Sequence, residues 1–526
     1  MRKTTRRNFL KAGLGVGAYG LLESGGFWGT RIAKASALAG PTRLLTIYLP
    51  GGWAPYYLFC PFTAQEIGDV IPTAAHPVGQ DPIFFSSAQV DNLDGTGDAL
   101  DSVGFPRLRV PRTWNQLALL SGQDAPNNSN GWSWMAHQLW NHCSVVHGVD
   151  MGTNSHQSAL ISFLTGVASH SYTAPSLSAW VAANVSQSLG EGRPLGSVCL
   201  ANNILRDGME MGWDAVPTML GGYESLKNGW SEELDQAWKG LRNRSAHPHY
   251  DYWGISSGSM LPSNDIEELI SKRTRNLAGS TNEETDLLFK GIYDSFQDVS
   301  LSLAGDIVSV IDQTAGIEHL PAPYWNNVAG SPLGLAVNSE TTEGAEWTGD
   351  FDLALRLLKS NLATSVTVQL NAHGARSFDT HLEGHGLHYQ VLRGAFDVIG
   401  RMLGEMAMTP AGLGKSLLDD TLVVVGSELG RTFPKSGTCD HWPSNSYLLA
   451  GGGVFPNRMC GGFDVGMDSP ETLGYQGMPV ALIDQDGNTM IRPPTSLDMV
   501  YSALSLYGFE DLFFGGNPGR VLGIMP

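Results

Sequence analysis

Thr421-Leu422-Val423-Val424-Val425-Gly426-Ser427-Glu428-Leu429-Gly430-Arg431-Thr432 is the stretch whose reading decides the fold. Its uncharged, β-branched first half reads as a strand buried inside a sheet rather than lying at its rim. Its polar second half, Ser427 to Thr432, begins where that strand ends. An open α/β sheet places ligand sites at the carboxyl ends of its strands. Working outward, residues 365–370 (Ser-Val-Thr-Val-Gln-Leu) read as a second core strand, followed by Ser377-Phe378-Asp379-Thr380-His381. Cys439-Asp440-His441 lies just beyond the first motif. Three clusters of metal-capable side chains thus follow core strands closely.

The same alternation extends along the chain. Residues 43–49 read as a first strand ending at Pro50-Gly51-Gly52, and further strands are expected at 143–149, 195–200 and 446–450. Helices are expected at about 156–164, 176–185, 352–362 and 387–406. The last of these turns Leu387, Val391, Leu392, Phe396, Ile399, Met402 and Leu403 inward at helical spacing. A final helix at 496–506 has Thr495 or Ser496 available as N-cap. Strands alternating with helices imply an α/β fold with a mostly parallel, doubly wound sheet. Residues 205–345 break the pattern. Their charged, helix-periodic run from 265 to 306 predicts a helical or loop insertion in a single domain spanning 38–526.

Export is written at the amino terminus. Thr5-Arg6-Arg7-Asn8-Phe9-Leu10-Lys11 precedes a weakly hydrophobic, glycine-rich stretch and the small-x-small sequences Ala33-Lys34-Ala35 and Ala35-Ser36-Ala37. Residues 1–37 therefore resemble a twin-arginine signal peptide, which predicts a periplasmic or extracellular protein that passes through the twin-arginine translocase. Glu23 and the glycines argue against a permanent membrane span. The formal net charge is −19, and loss of residues 1–35 removes seven Lys or Arg and one Glu, leaving about −25. Such a surface excludes nucleic acid as a partner. Five cysteines in 526 residues are too few for a disulfide scaffold and match no zinc motif. Cys439 and Cys460 flank a candidate site loop as a pair that export would allow to oxidise.

Asp379 and His381 form an Asp-x-His pair able to address one ion. Asp440 and His441 offer mixed oxygen and imidazole ligation from a turn, or else a turn-capping Asp beside an exposed His. Glu428 reads as a metal ligand or base and Arg431 as a clamp on developing negative charge, with a local ion pair between them as the structural alternative. Ser155 and His156 open a helix, whose positive end favours an anion and activates a Ser; a plain N-cap role for Ser155 is the alternative. His385 and His388 extend the histidine series but fit an ordinary helix surface. His137, His142 and His147 lie in or beside a Trp-rich stretch and fit core or loop roles better than ligation.

These motifs resemble the bacterial domain-of-unknown-function family 1501, exported proteins similar to sulfatases. The resemblance runs from about Arg43 to Phe509. It rests on Gly51-Gly52, Ser155-His156 with Leu164-Thr165-Gly166, Pro175-Ser176-Leu177, Phe378-Asp379-Thr380-His381, Ser427 to Thr432, Asp440-His441, Gly451-Gly452-Gly453-Val454 and Pro493-Pro494-Thr495. It implies an alkaline-phosphatase-like three-layer α/β/α fold, with one or two metal ions at strand ends beside a Ser, Thr or modified Cys nucleophile. Phosphate or sulfate esters would be the substrates, Asp440-His441 the superfamily's Asp-His metal pair, and Asp379 and His381 further ligands. Two departures stand out. Trp53-Ala54-Pro55 follows the glycines where many relatives carry an acid, and His156 occupies the position of the nucleophile.

Two functions are expected from this. One is an exported hydrolase of phosphate or sulfate esters, small or polysaccharide. In it Asp379, His381, Glu428, Asp440 and His441 hold a divalent ion (Zn, Ca, Mg or Mn), and Ser155, His156 and Arg431 supply the chemistry. The other is a non-catalytic binding or assembly protein that keeps the fold and needs no metal.

Overall fold

Strand β1 (Arg43–Tyr48) is buried at every residue. Leu44 and Tyr48 join an apolar cluster with three helices, whereas the alternate residues Leu45 and Ile47 are buried outside that cluster. Side chains of a strand alternate between faces, so both faces of the sheet at β1 are covered. The structure is a computed structural model that describes residues 40–55, 90–92, 109–111, 142–167, 176–188, 193, 196–200, 218–219, 310, 314, 342–370, 378–379, 381, 385–412, 414–432, 440–467, 473–509 and 517–525. The chain divides into two compact units, one made of Met1–Thr218 and Gly316–Pro526 and the other of Met219–Ala315. Of the second unit only Met219, Val310 and Thr314 are described. The signal segment at 1–37 and nearly all of the insertion expected at 205–345 therefore lie outside the described residues.

The central sheet has eight strands. With β2 (Cys143–Asp150), β3 (Gly196–Leu200), β4 (Thr218–Met219), β5 (Ala363–Gln369), β6 (Thr421–Gly426), β7 (Ser444–Ala450) and β8 (Arg458–Cys460), its order is β8-β2-β7-β6-β1-β5-β3-β4. β1 is parallel to β5 and β6, β3 to β5, and β8 to β2. β7 is antiparallel to its neighbours β6 and β2. The chain is thus α/β with a mostly parallel sheet, as the strand and helix pattern predicts.

β7 departs from the alternating reading for a reason of connectivity. A parallel neighbour needs a crossover of a dozen or more residues, usually a helix, whereas an antiparallel one can turn straight back. Between β6 and β7 the chain forms a small antiparallel ribbon, Gly430–Arg431 against His441–Trp442. Because β7 starts where β6 ends, the described residues between them, 427–432 and 440–443, stay near the carboxyl edge of the sheet.

The described helices are α1 (His156–Thr165), α2 (Leu177–Ser188), α3 (Thr342–Lys359), α4 (His385–Met408) and α5 (Ser496–Leu506). α1, α2 and α5 pack on one another over the face carrying Leu44 and Tyr48. α3 packs on β5 and against α4. In α4, Leu392, Phe396, Ile399, Met402 and Leu403 are buried as their spacing predicts; the side chains of Leu387 and Val391 lie outside the described residues. α5 is capped by Thr495 rather than Ser496: Asp498 N–H donates to the Thr495 side chain and Thr495 N–H to the Asp498 carboxylate, a capping box. No described helix is long and apolar enough to cross a membrane. Cys460 is a buried free thiol, and Cys439 lies outside the described residues.

Candidate metal centre

Four loops at the carboxyl ends of β1, β2, β5 and β6 build the site. After β2, Gly152 N–H is held by Asp150 Oδ1 at 2.8 Å, and the chain enters α1 at His156. α1 stops at Gly166, which takes the left-handed conformation (φ 78°) and packs against Leu497 and Val500 of α5. The Leu164-Thr165-Gly166 motif is therefore a helix stop that seats α1 on α5. That seating fixes His156 at the opposite end of the helix. After β5, the fully buried Phe378 anchors the backbone beside Asp379. The ribbon after β6 carries Arg431 and His441 as direct cross-strand partners.

His156, Asp379, His381 and His441 converge, each offering one ligand atom within 4.8 Å of the others. Asp379 Oδ1 lies 3.0 Å from His381 Nε2 and 3.2 Å from His441 Nε2. The two imidazole Nε2 atoms are themselves 3.0 Å apart. His156 Nε2 faces Asp379 Oδ2 at 3.8 Å, and its ring stands edge-on to His441 with centroids 3.9 Å apart. All four residues are half-buried, so the cluster is enclosed but reachable. Three imidazoles and a carboxylate form a donor set that could hold a metal ion.

Charge is arranged around this cluster. Glu428, 1% exposed, receives His156 Nδ1 on Oε1 at 2.7 Å. Arg431, fully buried, donates from Nη2 to Asp379 Oδ1 at 2.5 Å. Glu428 and Arg431 thus pair with His156 and Asp379 rather than with each other. Burial works against ionisation of Asp379, but the hydrogen bond to His441 and the charge and hydrogen bond of Arg431 outweigh it and hold the carboxyl far below its usual range. The Glu428 pKa is likewise lowered, burial being overcome by the hydrogen bond and charge of His156. Burial alone would depress His156, yet Glu428 and Asp379 raise its pKa. His441 goes the other way: burial lowers it, and its bond to Asp379 only partly compensates.

The remaining candidates sit farther out. Asp440 has a side chain 77% exposed, with Oδ1 3.7 Å from His381 Nδ1 and bonded to the His441 N–H at 2.7 Å. Ser155 is exposed at the N-cap of α1 and makes no capping bond with its side chain. His388 is buried, and its Nε2 accepts the Ala54 N–H at 2.8 Å. The backbone at Ala54 is thus held by an imidazole. His147 is a core residue, 0% exposed, bonded to Ser446 Oγ at 2.7 Å. The sequence reading took His156 as catalytic, and the structure brings it beside the other members of the cluster. The signal was its place one residue after an N-cap at the end of β2.

No curated protein matches the chain. Residues 340–475, which carry Asp379, His381, Glu428, Arg431, Asp440 and His441, match the family model described as "Protein of unknown function (DUF1501)", which supports the resemblance those motifs suggest.

Proposed function

We propose that this protein is an exported, metal-dependent hydrolase of phosphate or sulfate esters built on an alkaline-phosphatase-like fold. The convergence of His156, Asp379, His381 and His441 at the carboxyl ends of the strands carries this reading. These four residues would hold the ion. A divalent ion bound there supplies Lewis acidity toward a phosphoryl or sulfuryl oxygen and makes a water or hydroxyl a better nucleophile. Ser155, exposed one residue before His156 at the positive end of α1, or a metal-bound water would be the nucleophile. The twin-arginine-like segment supports periplasmic or extracellular delivery of the folded, loaded protein.

Elemental analysis of the mature protein, followed by a screen of phosphate and sulfate monoesters with added Zn, Mn, Mg or Ca, tests the proposal. One equivalent of metal with ester turnover is the expected result. Metal without turnover of any ester sinks the hydrolase. It would favour the second reading, a non-catalytic exported binding or assembly protein. His156, standing where the resemblance expects a nucleophile, points in that direction. Absence of bound metal overturns the metal centre itself.

A further inference from the structure

The Ser427-Glu428-x-x-Arg431 stretch closes around the two glycines that follow β1. Gly51 N–H donates to Glu428 Oε1 at 2.7 Å and Gly52 N–H to Ser427 Oγ at 3.1 Å. Arg431 Nε donates to the Gly52 carbonyl at 3.0 Å, and its Nη2 donates to the Gly51 carbonyl. All four backbone polar groups of the glycine pair are thereby satisfied by three side chains within five consecutive residues. A buried polar group left unpaired is costly, so this socket holds the loop firmly.

Glu428 then reaches from the socket to the metal cluster. Its Oε1 accepts from both Gly51 and His156, and its Oε2 accepts from Ser427 Oγ at 2.9 Å. Both oxygens are engaged within the protein, and the side chain is enclosed. We propose that Glu428 is a positioning residue of the metal centre, acting through His156, rather than a ligand or a base. By accepting the Nδ1–H it fixes the imidazole in one tautomer and one ring plane, and it leaves the Nε2 lone pair for the ion. A carboxylate behind a ligating histidine commonly performs this task. The inference rests on reading His156, Asp379, His381 and His441 as a metal centre.

Glu428→Gln keeps the shape and an acceptor for Gly51 while removing the charge behind His156. Titration of the metal-free variant with Co²⁺ is expected to give about 10–100-fold weaker binding than wild type. Stoichiometry and the pattern of visible absorption bands should be retained, because the donor set is unchanged. Asp379→Asn and His441→Ala, which remove a donor, provide the contrast: neither should develop the wild-type bands at one equivalent of Co²⁺. Unchanged affinity in Glu428→Gln overturns the positioning role, and a changed band pattern overturns its place outside the donor set. A measurement on wild type covers the case in which the variant does not fold. In Zn²⁺-loaded protein with ¹⁵N-labelled histidine, His156, identified by its loss in His156→Gln, should keep a protonated Nδ1 and bind through Nε2. Ligation through Nδ1 overturns the proposal. Wild type that takes up neither ion removes the metal centre and this role together, whereas the Glu428 results alone leave the centre standing.

Discussion

Gly51 and Asp379 touch so closely that no side chain fits between them: a Cβ on Gly51 would lie 2.5 Å from Asp379 N and 2.7 Å from Asp379 Cβ. Gly51 also holds φ at 105°, a conformation that L side chains rarely adopt. The glycine pair after β1 therefore serves the cluster by letting the β5 loop bring its carboxylate against the end of β1. Gly51→Ala should cost about 2–4 kcal/mol through strain and overpacking. It should also weaken metal uptake by displacing Asp379. Urea unfolding and metal titration of the variant measure the two effects, and near-wild-type values for both would refute the packing argument.

Removal of single donors separates the cluster from its rim. Asp379→Asn and His441→Ala should each abolish stoichiometric metal in the purified protein, because both side chains belong to the converging set. Asp440→Ala should keep more than half of the metal, since the side chain is mostly exposed and stands off at 3.7 Å from His381. Equal loss in all three variants would show that Asp440 is a ligand.

His147 gives the fold an acid-sensitive core. Burial holds its pKa down to about 3, against an ordinary value of 6.5. The unfolded chain therefore takes up this proton first as pH falls, and protonation favours unfolding. The contribution of His147 to stability is complete above pH 6.5 and is lost progressively between 6.5 and 3, with a slope of up to about 1.4 kcal/mol per pH unit. His147→Gln should remove that component of the slope from chemical denaturation curves taken between pH 6.5 and 5. Curves of equal slope for variant and wild type would contradict it.

Thr495 anchors α5 beside the end of β2. Its side chain caps the Asp498 N–H, Asp498 in turn receives Arg492 through two bonds of 2.6 and 2.7 Å, and Asp150 N–H bonds the Pro494 carbonyl at 2.8 Å. Thr495→Ala should cost about 1 kcal/mol. The Arg492–Asp498 pair should keep the helix in place. A thermal shift with unchanged metal content is the expected pair of readings.

The arithmetic of apolar runs made much of the fold legible. The strands 43–49, 143–149, 195–200, 365–370, 421–425 and 446–450 and four of the described helices fall close to where periodicity places them, because strand and helix repeats impose different burial patterns on neighbouring residues, whereas α3 begins at Thr342, ten residues before the expected 352. The Asp379, His381 and His441 positions were legible as strand-end motifs. The direction of β7 was not, since direction depends on connection geometry, which a run such as Ser446 to Ala450 does not record. Nor was the partnership of Glu428 with His156, which spans 272 residues.

The sequence by itself determined that this chain folds as α/β, that metal-capable residues gather at strand ends, and which short motifs carry them. Only the tertiary structure decided which of those residues meet. It grouped His156 with Asp379, His381 and His441, set Asp440 at the rim, and enclosed Glu428 and Arg431 behind the cluster. The physical reason is that local pattern fixes an element and its buried face. Convergence depends on the order of strands in the sheet and on backbone contacts such as that of Gly51 with Asp379, which join residues far apart in the chain.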